Sequence, residues 1–203
     1  MKRINQVTKI HKRFRGFLPV VIDIETAGVN PQDNALLELC AVFLSMNDAG
    51  ELYRNHTMFD HILPFEGAIL DQKSLEFNQI DPFQPLRFAV DEKIALERLF
   101  LAVRNALKET KCQRAVLVGH NAWFDLNFLK AATKRCQLDS PFHSFTCFDT
   151  ATLAGLYFGE TVLAKAVEAA GLTFDSEQAH SAIYDAEITA ELFCKMINHW
   201  QDK

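Results

Sequence analysis

Three short stretches carry acids at spacings that could do chemistry. In VVIDIETAG, Val20 to Gly28, Asp23 and Glu25 flank Ile24. On a strand, residues two apart share a face, so Ile22 and Ile24 would cover the other, buried one. In GHNAWFD, Asp125 follows a short apolar run and falls in the first turn of a helix. In HSAIYD, His180 precedes Asp185 by five residues, at the start of the last helix. Each feature alone has a plainer account. A solvated strand edge explains the first pair, the positive end of a helix dipole explains Asp125 and Asp185, and a surface or capping residue explains His180. In combination they say more, because strand ends and helix starts are where α/β sites gather. Four carboxylates brought together cannot all stay ionised without cations. Hard oxygen donors, with no Cys or clustered His, favour Mg²⁺ or Mn²⁺ over Zn²⁺.

The elements that must position these groups can be read from periodicity. VVIDIE, ALLELCAVFLSM (35–46) and LYRNHTMFDHIL (52–63) read as strands, with NDAGE as a turn between the last two, hence an antiparallel meander. Prolines at 64, 82 and 85 break the next segment, which holds one short helix over 70–77. Leu96, Leu99, Phe100, Val103 and Leu107 recur at helical spacing and predict a helix over 91–109. RAVLVGH (114–120) and FTCFDT (145–150) read as short strands, with helices over 123–136 and 161–171. Ile183, Ala186, Ala190, Phe193, Ile197 and Trp200 predict an amphipathic terminal helix. The fold class is therefore α/β, a mixed sheet of antiparallel meander plus parallel strands flanked by α-helices.

The length of 203 residues suits one domain. We divide it into a basic N-terminal arm (1–19), part of the same domain, and the main body (20–203). Residues 1–22 carry six Lys or Arg and no acid, which leaves 15 bases against 26 acids in the remainder. A basic arm on an acidic body is either a solvated terminus or a phosphate-binding device. No apolar run is long enough to span a membrane, and the basic start lacks the apolar core of a secretory signal. Five Cys without a C-x-x-C exclude a disulfide framework and a zinc site, and a reducing cytoplasm is expected.

The order D-x-E, then D, then H-x4-D, and the intervals between them, resemble the DEDD family of 3′→5′ exonucleases, in the branch whose third motif uses His. FRGFLPVVIDIETAG, HNAWFDLNF, FDTATLAGL, FDSEQAHSAIYDAEITAELF and FNQIDP extend the likeness from about Arg13 to Trp200. The resemblance implies a ribonuclease H-like fold and a metal-dependent 3′→5′ exoribonuclease. Such an enzyme trims the 3′ ends of tRNA and other stable RNAs, acts on single-stranded DNA ends and releases nucleoside 5′-monophosphates. It further implies that Asp23, Glu25, Asp125 and Asp185 hold two Mg²⁺ about 4 Å apart, a spacing suited to phosphoryl chemistry, with His180 as general base. Phe77, Phe124 and Phe145 would stack on terminal bases. Arg13, Arg15, Lys108 and Arg114 would form a basic patch that serves the active site of the other subunit of a homodimer.

Three positions depart from the relatives that match best. Val29 stands where a Phe is usual, Lys73 where an acid is usual, and Asp139 where a base is usual. The first two bear on preference for the terminal base and the third on grip of longer RNA. The competing readings are a proofreading-type DNA exonuclease or an oligoribonuclease with the same motifs, and a non-catalytic nucleic-acid-binding module that keeps the fold.

Overall fold

The computed structural model describes residues 10–179 and 181–201. Five strands form one sheet: β1 (Phe17–Thr26), β2 (Leu36–Met46), β3 (Leu52–His61), β4 (Arg114–Gly119) and β5 (Phe142–Asp149), in the order β3-β2-β1-β4-β5. β1, β2 and β3 pair antiparallel, and β4 and β5 continue the sheet parallel to β1. The helices are α1 (Ile10–Arg13), α2 (Gln72–Asn78), α3 (Glu92–Thr110), α4 (Trp123–Arg135), α5 (Thr150–Phe158), α6 (Leu163–Ala169) and α7 (Ala182–Gln201). This is the mixed, helix-flanked sheet expected from the pattern of apolar runs.

The central strand is apolar along most of its length because it is covered on both sides. Val20, Val21 and Ile22 are fully buried, and α7 lies across β1, β2 and β3. Each such side chain contributes about 1.5–3 kcal/mol by leaving water. α7 is pinned to β3 by Asn198, which exchanges two 2.8 Å hydrogen bonds with the backbone of Leu52. Glu187 adds a second anchor, accepting a 2.7 Å bond from Thr57 and pairing with Arg54. The apolar surface of α7 is broader than the expected stripe. Ala186, Ala190 and Phe193 enter the main core, while Ile188, Leu192 and Met196 pack with Ala154, Ala166 and Val167 of α5 and α6. Ile183 and Trp200, the ends of the stripe read from the sequence, are exposed.

Three elements differ from the sequence reading. β1 starts at Phe17, three residues before Val20, because Phe17, Leu18 and Pro19 pair with Arg114, Ala115 and Val116 of β4. β5 starts at Phe142, and its register against β4 shifts between Ala115 and Leu117, so the extra residues bulge outward. α5 follows at once, where the sequence showed no periodic stripe. At the other end of β1 the chain turns at Gly28, whose φ is +151° and whose Cβ would sit 2.3 Å from the Asn34 side-chain oxygen. Only glycine fits there. Asn34 in turn accepts from the Asn30 N–H and donates to the Ile69 carbonyl, each at 2.8 Å, which fixes the loop after the acid pair.

Candidate active site

Asp23 and Glu25 lie on the C-terminal half of β1, with Ile22 and Ile24 buried on the opposite face as the alternation predicts. Asp185 comes from the first turn of α7. Carboxylate oxygens of Asp23, Glu25 and Asp185 all lie within 4.8 Å of one another, the spacing at which one cation can bind three ligands. Asp125 lies outside that set. It is buried in the first turn of α4, close enough that its charge is the largest neighbouring influence on Asp23. Its own N–H and that of Ile24 work against burial to favour the Asp125 carboxylate. Gly119 makes this approach possible, since a Cβ there would sit 3.2 Å from Asp125 Oδ2 and 3.3 Å from the Ile22 carbonyl. His180 lies outside the described residues.

The electrostatics are those of buried like charges. Burial, then the charges of Asp125, Asp185, Glu25 and Glu38, push the Asp23 carboxyl well above the usual range. Burial and the charges of Asp185 and Glu38 push Glu25 up to about 8, against a hydrogen bond from Asn78 that works to lower it. Burial also raises Asp125. At about 8, Glu25 by itself would hold its proton at neutral pH. A divalent cation would restore the ionised form, and the all-oxygen donor set fits a hard cation.

Three residues near the acids were not read from the sequence. Glu38 sits opposite Glu25 in the β1–β2 register and is buried, 3.0 Å from His61 Nδ1 and 4.0 Å from Arg87. Its signal was a lone acid inside the apolar run ALLELCAVF. Asn78, buried at the end of α2, donates to the Thr26 carbonyl at 3.1 Å and so ties α2 to the end of β1. The third is Trp123, 62% exposed at the start of α4, two residues from Asp125.

The aromatic and basic residues named from the sequence divide by position. Phe77 on α2 and Phe145 on the β5 bulge are exposed, whereas Phe124 is half-buried against Trp123 and Phe128. Val29 is exposed on the loop that follows β1, and Lys73 is exposed on α2. Arg13, Arg15, Lys108 and Arg114 gather at the opposite end of the sheet, where β1 and β4 begin and α3 ends. Arg15 and Arg114 are exposed, while Arg13 is half-buried over Phe14. Asp139 is held by Arg104, which bonds its carbonyl and stands 3.4 Å from its carboxylate, so its negative charge faces a partner of its own.

A family model described as Exonuclease matches residues 20–193. The chain belongs to the exonuclease family. It is 55% identical over 199 residues to Ribonuclease T of Vibrio campbellii, covering 97% of this chain and 93% of that one. Among solved structures, E. coli Exonuclease I in complex with a dT13 oligonucleotide superposes with a TM-score of 0.67 at 15% identity. That match covers 91% of this chain, which spans 41% of Exonuclease I. A 3′-exonuclease that recognises the 3′ end of a histone mRNA stem-loop superposes at 0.68 and 17% identity, over 89% of this chain and 63% of that one. These two exonucleases share the fold of this chain.

Proposed function

We propose that this member of the exonuclease family is a metal-dependent 3′→5′ exoribonuclease that trims the 3′ ends of tRNA and other stable RNAs and acts on single-stranded DNA ends. The observation that carries the reading is the convergence of Asp23, Glu25 and Asp185 oxygens within 4.8 Å, with Asp125 buried beside them. Similarity at 55% identity across nearly the whole length of a ribonuclease T supports RNA as the substrate.

In this reading Asp23, Glu25, Asp125 and Asp185 would hold two Mg²⁺, and Mn²⁺ would serve as a substitute. Cations held there would supply positive charge near the scissile phosphodiester and ease deprotonation of an attacking water. The protein's own part is to orient the four carboxylates and to grip the end of the strand. His180 takes the proton from the water, since an imidazole titrates near cellular pH. Phe77, Phe124 and Phe145 hold terminal bases by stacking, worth about 1–3 kcal/mol per base, and exposed Trp123 extends that surface. Val29 removes one platform, and Lys73 presents a donor where an acceptor is usual, so preference for the terminal base differs from that of the relatives.

The basic patch supports a homodimer. Eight residue steps of extended β1 separate Phe17, beside the patch, from Glu25, about 27 Å, so the patch lies far from its own acids, which fits service to a second copy. The domain division and a cytoplasmic location belong to the same proposal; among the described residues no helix is long and apolar enough to cross a membrane.

The test incubates the purified chain with end-labelled tRNA and short single-stranded DNA, with Mg²⁺ and with chelator. Stepwise loss of 3′ nucleotides as 5′-monophosphates, only with metal, is expected. Internal cleavage, or binding without hydrolysis, would sink the reading.

A further inference from the structure

The motif GHNAWFD contributes one acid to the site, yet its His and Asn have no part in the chemistry above. The structure gives them one. Between the end of β4 and the start of α4, Asn121 adopts a left-handed backbone with φ +64°. This sharp turn lets the helix begin at once and sets Asp125 one turn in. Such a conformation costs a residue with a Cβ about 1 kcal/mol and needs support from its surroundings.

The support comes from the end of β5. Asp149 Oδ1 accepts from the backbone N–H groups of Asn121 at 2.8 Å and of Ala122 at 3.3 Å. Its other oxygen caps α5 by accepting from the Thr152 N–H at 3.1 Å and from the Thr152 hydroxyl. His120 closes the other side. Its Nε2–H donates to the Thr161 carbonyl at 2.8 Å, and its Nδ1 lies 3.1 Å from the Thr150 hydroxyl, which also reaches the Gly119 carbonyl at 3.1 Å. Burial works against the Asp149 carboxylate, but the Thr152 side chain and the N–H groups of Ala122, Thr152 and Asn121 outweigh it and hold its pKa below the usual value. The group is therefore a fixed anion bonded to the turn that carries Asp125.

We infer that Asp149 is a positioning residue for the metal site: by clamping the Asn121–Ala122 turn it fixes where Asp125 presents its carboxylate. This rests on the metal-site reading above and extends it to a residue outside the quartet. Partners that orient a ligand in this way affect metal affinity or turnover by about 10–100-fold.

The experiment compares Asp149→Ala, Asp149→Asn, Asn121→Gly and Asn121→Val, all assayed well below their melting temperatures. Mn²⁺ affinity is read by calorimetry without substrate, and kcat and KM with end-labelled RNA. Asp149→Ala should weaken Mn²⁺ binding and lower kcat, each by about 10-fold or more, with KM within about twofold. Asp149→Asn keeps an oxygen facing the two N–H groups and should recover most of both. Asn121→Gly relaxes into the left-handed turn and should bind Mn²⁺ normally, whereas Asn121→Val, a β-branched residue at positive φ, should behave like Asp149→Ala. A structural role alone would lower the melting temperature and leave Mn²⁺ affinity unchanged, and that result overturns the inference. Normal Mn²⁺ binding by Asn121→Val overturns it equally. If the unaltered chain binds Mn²⁺ but hydrolyses nothing, the proposed activity fails, and the Mn²⁺ affinities of the variants still decide the clamp.

Discussion

Asp23 shows how a residue can serve function against stability. It is surrounded by like charges, and burial works in the same direction. Asp23→Asn removes the repulsion while keeping the shape. In chelator the variant should melt higher than the unaltered chain by several degrees, at about 2–4 °C per kcal/mol for a chain of this size. In Mg²⁺ it should lose hydrolysis by at least about a thousandfold, as expected when a carboxylate proposed to hold the metal ions is removed. Thermal melts in chelator and product release from end-labelled RNA check the two halves together; a variant that melts lower would show that the acids do not strain the fold. At this scale the sequence was most legible where a simple period applied. Asp23 and Glu25 stand out because alternation puts two charges on one face of an apolar strand. Glu38 was hidden, because it faces the same site from β2 and only the strand register, absent from any local window, sets it opposite Glu25.

At the scale of elements, α3 was readable from its apolar stripe and α4 from the run WFDLNFLKAATKRC, and the joint between them was not. Glu92, buried at the start of α3, receives two bonds from Arg135 at the end of α4, at 2.9 and 2.7 Å, and the same guanidinium stacks 3.8 Å above Phe65. Arg135→Ala would leave a buried carboxylate without its partner, a loss of about 3–5 kcal/mol. A fall in melting temperature of about 6–20 °C is expected, while kcat at low temperature stays normal. Arg135 is ten residues along α4 from Asp125, about 15 Å away, so the joint supports the sheet without touching the site. α5 escaped the sequence reading for a different reason. Ala151, Ala154 and Thr150 are its buried members, while Leu156 is exposed, so no apolar stripe marks one side. β5 was read too short because its bulge breaks the alternation on which strand detection depends.

Two predictions belong to the whole molecule. The first concerns pH. Glu25 titrates near 8 in the fold, against about 4.5 in an unfolded chain. Between those values the folded state holds a proton that the unfolded state has released, so stability falls as pH rises. In chelator the melting temperature should therefore drop from about pH 5 to about pH 9, and added Mg²⁺ should recover more of it at the alkaline end. A metal-free protein most stable at alkaline pH would contradict the charge balance of the site.

The second concerns the division of labour between two copies. The acids lie at one end of β1, and Arg13, Arg15 and Arg114 at the other. If each patch serves its own site, the strand must run the length of the molecule before its end is cut. If each serves its partner, the two halves of the machinery can be separated genetically. An Asp23→Asn chain keeps a patch and lacks a working site; an Arg13→Ala, Arg15→Ala, Arg114→Ala chain keeps the site and lacks the patch. Mixed and allowed to exchange, two such inactive chains should form about half mixed dimers, as closed two-fold pairing of equal partners requires. Each mixed dimer holds one intact site facing one intact patch. Activity on tRNA should then rise to about one quarter that of the unaltered chain, from two preparations that each show little alone. A patch acting on its own site leaves every mixed dimer with one site lacking acid and one lacking grip. In that case mixing gains nothing, and the measured activity equals the average of the two preparations.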